Sequence, residues 1–171
     1  PLRFQKIGDC VSMGAALAND TLKVTEIVNG EREAWVAETA TEDLYSGSRV
    51  IIGGNRISGD GSIGAWVVKY MHEDKFGTLA RIKYEFADMT KYDGNRARLW
   101  GSKRMPDALL NEAKKHPITG YTSVETYEDV IDSLYNGYPV IICSNQGFAS
   151  KRDDDGFARA QGSWGHCMTL I

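Results

Sequence analysis

Cysteine is scarce: the 171 residues hold only Cys10, Cys143 and Cys167. An odd number leaves at least one thiol unpaired, and no two have the spacing of a zinc knuckle or a Cys-x-x-Cys redox motif. A chain this long buries roughly 70% of the surface its unfolded form exposes, so it needs no disulfide scaffold. That lack suits a reducing compartment or a bacterial or viral source. A basic excess is missing too. Lys and Arg number 20 against 23 Asp and Glu, a net charge of −3. No basic stripe is visible, which argues against a nucleic-acid partner. Long apolar runs are absent. Stretches such as Val50 to Ile52 fall far short of the ~20 residues a membrane helix requires, so no membrane partner is expected. No targeting segment, fixed-period repeat or low-complexity tract is visible.

What is present reads as one domain. Asp9 is a good N-cap, and Val11, Ala15 and Ala18 share a face, which predicts a helix over about 10–22. A second helical patch is expected over about 34–45. The run from Gly53 to Gly61 is too glycine-dense for regular structure. Ile63, Trp66, Val67, Tyr70 and Met71 then recur at helical spacing, and Gly77 is expected to stop that helix. Arg81 to Phe86 alternates like a strand. A charged, loop-like stretch follows, with a short helix near Asp107 to Lys115 ended by His116-Pro117. Thr126 and Asp129 form a capping box for a helix with Val130, Ile131 and Leu134 on its face and Gly137 at its end. Pro139 to Cys143 and Trp164 to Ile171 read as strands, with a long polar loop from Asn145 to Gly162.

Among the thiols, Cys10 has the most reactive setting. It sits where a turn becomes a helix, and the unpaired N–H groups of a helix start favour a thiolate. The Asp9 charge next door opposes this. Cys143 and Cys167 lie in apolar strand runs and read as core thiols. His166 follows Gly165 at the mouth of a strand, a suitable place for a fixed base; His72 and His116 read as surface or capping residues. Other motifs fail. Gly54 to Gly59 has phosphate-loop spacing, but Asp60-Gly61 stands where Lys-Ser/Thr is needed. Asp153 to Gly156 hints at calcium, but Lys151 occupies the place of the first ligand. No metal or other cofactor is expected.

Four patches in order carry a resemblance. Gln5-Lys6-Ile7-Gly8-Asp9-Cys10 is similar to the nucleophile segment of papain-like cysteine peptidases. Gly61-Ser62 through Tyr70 and Gly77 resembles their glycine-rich loop, next helix and closing glycine. Tyr127 to Gly137 followed by Tyr138-Pro139-Val140-Ile141-Ile142 resembles their helix–Gly-Pro-Val–strand unit. Trp164-Gly165-His166-Cys167-Met168-Thr169-Leu170 resembles their catalytic-histidine strand. The chain departs from the family in three places: four residues separate Gln5 from Cys10, one fewer than usual; Asp9 replaces a small residue; and the family's disulfide cysteines are absent.

The resemblance implies an α+β fold of two subdomains, helical over about 1–85 and β-rich over about 86–171, with a cleft between them. It implies a cysteine endopeptidase acting on a peptide or protein substrate, with Cys10 as nucleophile, His166 as its acid–base partner and Gln5 as an oxyanion donor. Asp60, Gly61, Ser62 and Gly165 would meet the substrate. The same residues also fit a papain-like binding or assembly module without catalysis, or another thiol amidohydrolase acting on cell wall or leader peptides. The family's third catalytic residue, an Asn after the histidine strand, would lie beyond Ile171. The natural polypeptide is therefore expected to continue, and a propeptide or larger parent chain is compatible with this. Asn145 is the upstream alternative.

Overall fold

The computed structural model describes residues 4–31, 34–72 and 76–171. The chain is an α+β protein in which helices, interrupted by one short strand pair, precede a long antiparallel hairpin. Helix α1 spans Cys10–Val28, well past the expected end at Leu22. Small residues Gly14, Ala15, Ala16 and Ala18 line its buried side and let neighbouring elements approach closely. Asp9 occupies the N-cap position, but its side chain makes no capping hydrogen bond.

The helix expected over 34–45 starts later. Thr39 instead forms a bridge with Ala80, and α2 covers only Thr41–Ser46. The delay has a polar cause. Glu42 and Asp43 are fully buried, so the helix begins where their carboxylates reach interior partners. Glu42 binds Arg81 at 2.8 Å and Arg96 at 2.8 Å, and Asp43 accepts from the Leu79 N–H at 3.0 Å.

A π-helical turn, Gly47–Ile52, continues α2, closed by Gly53 N–H donating to the Ser48 carbonyl at 2.9 Å. Gly47 lies flat against Tyr70, where an added Cβ would overlap three ring carbons. Alanine would favour the helical backbone by roughly 1 kcal/mol, but overpacking a rigid buried ring costs more, about 3 kcal/mol. Gly47→Ala should therefore lower stability by about 2 kcal/mol net, read as a lower urea midpoint; an unchanged midpoint would show that Tyr70 gives way freely.

Helix α3, Gly64–His72, buries Val67, Tyr70 and Met71 as its spacing predicts, whereas Ile63 precedes it and is exposed. Gly77 lies past the helix end, with 73–75 outside the described residues. A Cβ there would overlap the Ala113 carbonyl oxygen, so close backbone approach explains this glycine. The strand expected over 81–86 shrinks to β1, Lys83–Tyr84, paired with β2, Ala87–Asp88.

Helix α4, Gly94–Lys103, occupies the stretch read as a loop. The Asp93 carboxylate caps it by accepting from the Asn95 and Arg96 N–H groups at 2.8 and 3.3 Å, and Ala97, Trp100 and Gly101 form its buried face. Helix α5 covers Asp107–Ala113. Helix α6, Tyr127–Tyr135, carries the expected Thr126–Asp129 capping box, and Gly137 follows at φ +80°. None of the α6 residues is buried.

Strands β3, Val140–Phe148, and β4, Ala160–Leu170, extend into the segment read as a long loop. Their register pairs Cys143 with Cys167 and Ser144 with His166, with irregularities between Ser144 and Gln146 and between Gln146 and Phe148. One core joins Val11, Leu44, Val67, Tyr70, Met105, Leu109 and Cys167. Helix α5 contributes Leu109, Leu110 and Ala113 to this core. Among the described residues, no helix is long and apolar enough to cross a membrane.

Candidate functional site

Cys10 is the first residue of α1. It is partly buried and packs against the main core. The turn before it is tight: Asp9 N–H donates to the Ile7 carbonyl at 2.8 Å, and Met13 N–H donates back to the Asp9 carbonyl at 3.1 Å. The Asp9 side chain, read from sequence as a cap, turns inward instead. Its Oδ2 accepts from the Tyr92 hydroxyl at 2.9 Å, while Oδ1 is buried without a hydrogen-bond partner. Burial pushes its pKa up to about 6; the Tyr92 bond opposes the rise, and Glu42 and Asp60 add to it.

The native state therefore holds the Asp9 proton more tightly than the unfolded chain does. Stability falls as pH rises from 3.8 to about 6, and the ionised carboxylate costs about 3 kcal/mol above that range. Asn keeps the shape and an acceptor for Tyr92 but carries no charge. Asp9→Asn should raise stability at pH 7.5 by about 1–3 kcal/mol and add nothing below the unfolded pKa. Denaturant titrations at pH 7.5 and pH 3.5 decide this; equal gains at both would show that charge is not the cause.

Gln5 engages its amide in its own turn. The side chain is exposed, and Nε2 donates to the Ile7 carbonyl at 2.6 Å.

The glycine-rich loop meets this turn. Gly8 N–H donates to Asp60 Oδ2 at 3.2 Å, and a Cβ on Gly8 would stand 2.8 Å from Asp60 Cβ. Arg98 also binds Asp60 Oδ2, at 3.1 Å, and holds that carboxyl below its ordinary pKa. Arg49 fixes the loop from below, donating to the Gly61 carbonyl at 2.5 Å, to Ile57 at 2.9 Å and to Gly101 at 2.9 Å. Gly61 N–H donates to the Tyr45 hydroxyl at 3.0 Å, and Ser62 Oγ donates to Ser48 Oγ at 2.8 Å. Asp60 thus stands beside the turn that precedes Cys10. At Gly61, expected to offer a peptide edge, both the N–H and the carbonyl are bonded within the chain.

Strand β4 lies along the first turns of α1. Thr169 Oγ1 donates to the Gly14 carbonyl at 2.8 Å, and the Cys167 sulfur lies 3.0 Å from where a Gly14 Cβ would stand. His166 is the next residue on this strand. Its ring stacks on Trp164, with centroids 4.1 Å apart and planes 11° from parallel. Gly165 lies beside Asn145, whose Oδ1 is 3.3 Å from the glycine's Cβ position. Among the described residues, no hydrogen bond joins the His166 ring to Cys10 or Asn145.

Cys143 departs from its reading as a core thiol: it is exposed. The strand pairing sets it opposite Cys167, and Gly64 at the start of α3 stands against its sulfur. Its pKa is pushed down to about 7, mainly by the neighbouring Cys167 thiol, with burial opposing and the Gly64 N–H assisting. The Cys167 thiol is pushed up in turn by Cys143 and by burial. Only the register of the two strands brings these cysteines together, and no local sequence signal marks it.

An open polar groove of about 480 Å³, lined in part by Lys6, Tyr92, Asp93 and Arg96, lies on the Tyr92 side of the turn; neither Cys10 nor His166 lines it. Among the described residues, no group of three or more His, Cys, Asp or Glu could hold a metal ion. No family model, no curated protein and no solved structure matches this chain.

Proposed function

We propose that this protein is a thiol-dependent peptide hydrolase with a papain-like arrangement, in which Cys10 is the nucleophile and His166 its proton carrier. The observation that supports the reading most is the packing of β4 on α1. The strand that carries His166 crosses the opening turns of the helix that carries Cys10, although 156 positions separate the two residues. In this reading the Cys10 sulfur attacks the amide carbonyl carbon. The Cys10 backbone N–H, at the helix start, faces the developing oxyanion. His166 then protonates the departing amine, and an activated water releases the acyl group from sulfur. Two groups must move first. Cys167 and Thr169 meet α1, so His166, which alternates with them, projects from the opposite face of β4. Its ring must leave Trp164 and pass to the α1 face, and the Gln5 amide must leave the Ile7 carbonyl to serve as the second oxyanion donor.

The binding-module reading has its own support: the ring and the thiol are not hydrogen-bonded, and the Gln5 amide is spent on its own turn. A peptidyl electrophile separates the two. General alkylation does not, because Cys143 is exposed. In a hydrolase, a peptidyl fluoromethyl ketone should label Cys10 first, excess peptide should slow it, and His166→Ala should slow it by at least about 100-fold. Labelling confined to Cys143, or indifferent to His166→Ala, would favour the binding module.

A further inference from the structure

We propose that Cys143 and Cys167 form a dithiol site that reacts with small disulfides, such as glutathione disulfide, and closes into a reversible cross-strand disulfide. The two residues sit directly opposite each other in the β3–β4 ladder. Opposed residues of an antiparallel pair have Cβ atoms about 4.5–5.5 Å apart, and a disulfide spans about 3.5–4.5 Å, so closure requires the two strands to draw together by up to about 1 Å at this pair. The two thiols differ in access. Cys143 is exposed, whereas Cys167 is buried against α1. They differ in charge preference too: the Cys167 thiol and the Gly64 N–H both favour a Cys143 thiolate. An exposed, stabilised thiolate beside a buried thiol is the division of labour between an attacking and a resolving cysteine.

The chemistry balances in two exchanges. The Cys143 thiolate attacks one sulfur of glutathione disulfide; a new S–S bond forms, and one glutathione leaves as thiolate and takes a proton from water. The mixed disulfide on Cys143 is uncharged, so the largest influence that kept Cys167 protonated is gone, while burial still opposes its ionisation. Cys167 gives its proton to water and attacks the Cys143 sulfur from within the ladder. The second glutathione leaves on the exposed side. The protein loses two electrons and two protons, and glutathione disulfide gains both. This site does not depend on the proposed hydrolysis, since neither Cys10 nor the His166 ring takes part.

The test uses the full chain, first reduced and then treated with glutathione disulfide, quenched over time and mapped by peptide mass spectrometry without reduction. The expected product is a Cys143–Cys167 bond with two hydrogens lost and Cys10 free. In Cys167→Ser, a single glutathione should persist on Cys143, with a lifetime at least about tenfold longer than in the wild type. A wild-type adduct on Cys143 as persistent as that of the variant would overturn the proposal, as would a bond that joins Cys10 to either partner.

Discussion

Glu42→Gln should lower the free energy of unfolding by about 3–5 kcal/mol. The carboxylate is fully buried and works at full capacity: Oε2 accepts from Arg81 at 2.8 Å, and Oε1 accepts from Arg96 at 2.8 Å and from the Asp93 N–H at 3.0 Å. Burial alone would raise its pKa, but the two guanidinium groups and the Asp93 N–H outweigh burial and hold it below the ordinary value. The amide of Gln presents an NH₂ where only acceptors fit and leaves two cations without a counter-charge. A domain's whole stability is about 5–15 kcal/mol, so this single change takes a large share. The sign with pH is set by the same shift. The folded protein holds the Glu42 proton less tightly than the unfolded chain, so its contribution is present above pH 4.5 and is lost as pH falls through the lower folded value. Urea titrations of both proteins at pH 7 and in acid test this: the gap should be wide at pH 7 and narrow in acid. Equal midpoints at pH 7 would show that the arginines find other partners.

The second large effect falls on turnover. For the proposed hydrolase, Cys10→Ala and His166→Ala should each lower peptide-amide hydrolysis by at least about 10³-fold, and the double variant should be little worse than either single one. The two groups act on one proton and one acyl transfer, so losing either disables both. Circular dichroism of each variant distinguishes lost chemistry from lost folding. Full activity in His166→Ala would remove His166 from the reaction; full activity in Cys10→Ala would end the hydrolase reading, whatever Cys143 does in the dithiol experiment.

Local signals survived the passage from sequence to structure, and long-range ones did not. The capping box of α6 was legible because Thr126 and Asp129 sit three residues apart and cap each other. The buried face of α3 was legible because Val67, Tyr70 and Met71 repeat at helical spacing. Helix α4 was missed because charged residues surround its short face; the Asp93-Gly94 start was the available clue, since Asp93 caps it. The start of α2 was misplaced because charge reads as surface, yet Glu42 and Asp43 are interior, held by Arg81 and Leu79 some 36 to 39 positions away. The outer halves of β3 and β4 read as loop because a polar hairpin is specified by pairing across the turn and carries no apolar pattern of its own.

The candidate site divides the same way. That Cys10 opens a helix, and that His166 lies on a strand, could be read locally. The inward turn of Asp9 toward Tyr92, 83 positions away, could not. Nor could the engagement of both Gly61 backbone groups by Tyr45 and Arg49, or the exposure of Cys143 opposite Cys167.

The two irregularities in the β3–β4 ladder lie between Ser144 and Phe148, outward of the Cys143–Cys167 and Ser144–His166 pairs. Each bulge absorbs a one-residue mismatch, which in an unbroken ladder would flip every later side chain to the opposite face. They therefore act as a clutch between the base of the hairpin and its tip. The tip, residues 149–159, can be lengthened, shortened or exchanged while the base keeps its alignment on α1, because exposed loop ends tolerate such changes where backbone bonding at the root is kept. That makes the hairpin end a graft point: a tag or recognition loop inserted there would ride on the strand pair without being felt at Cys167 or His166.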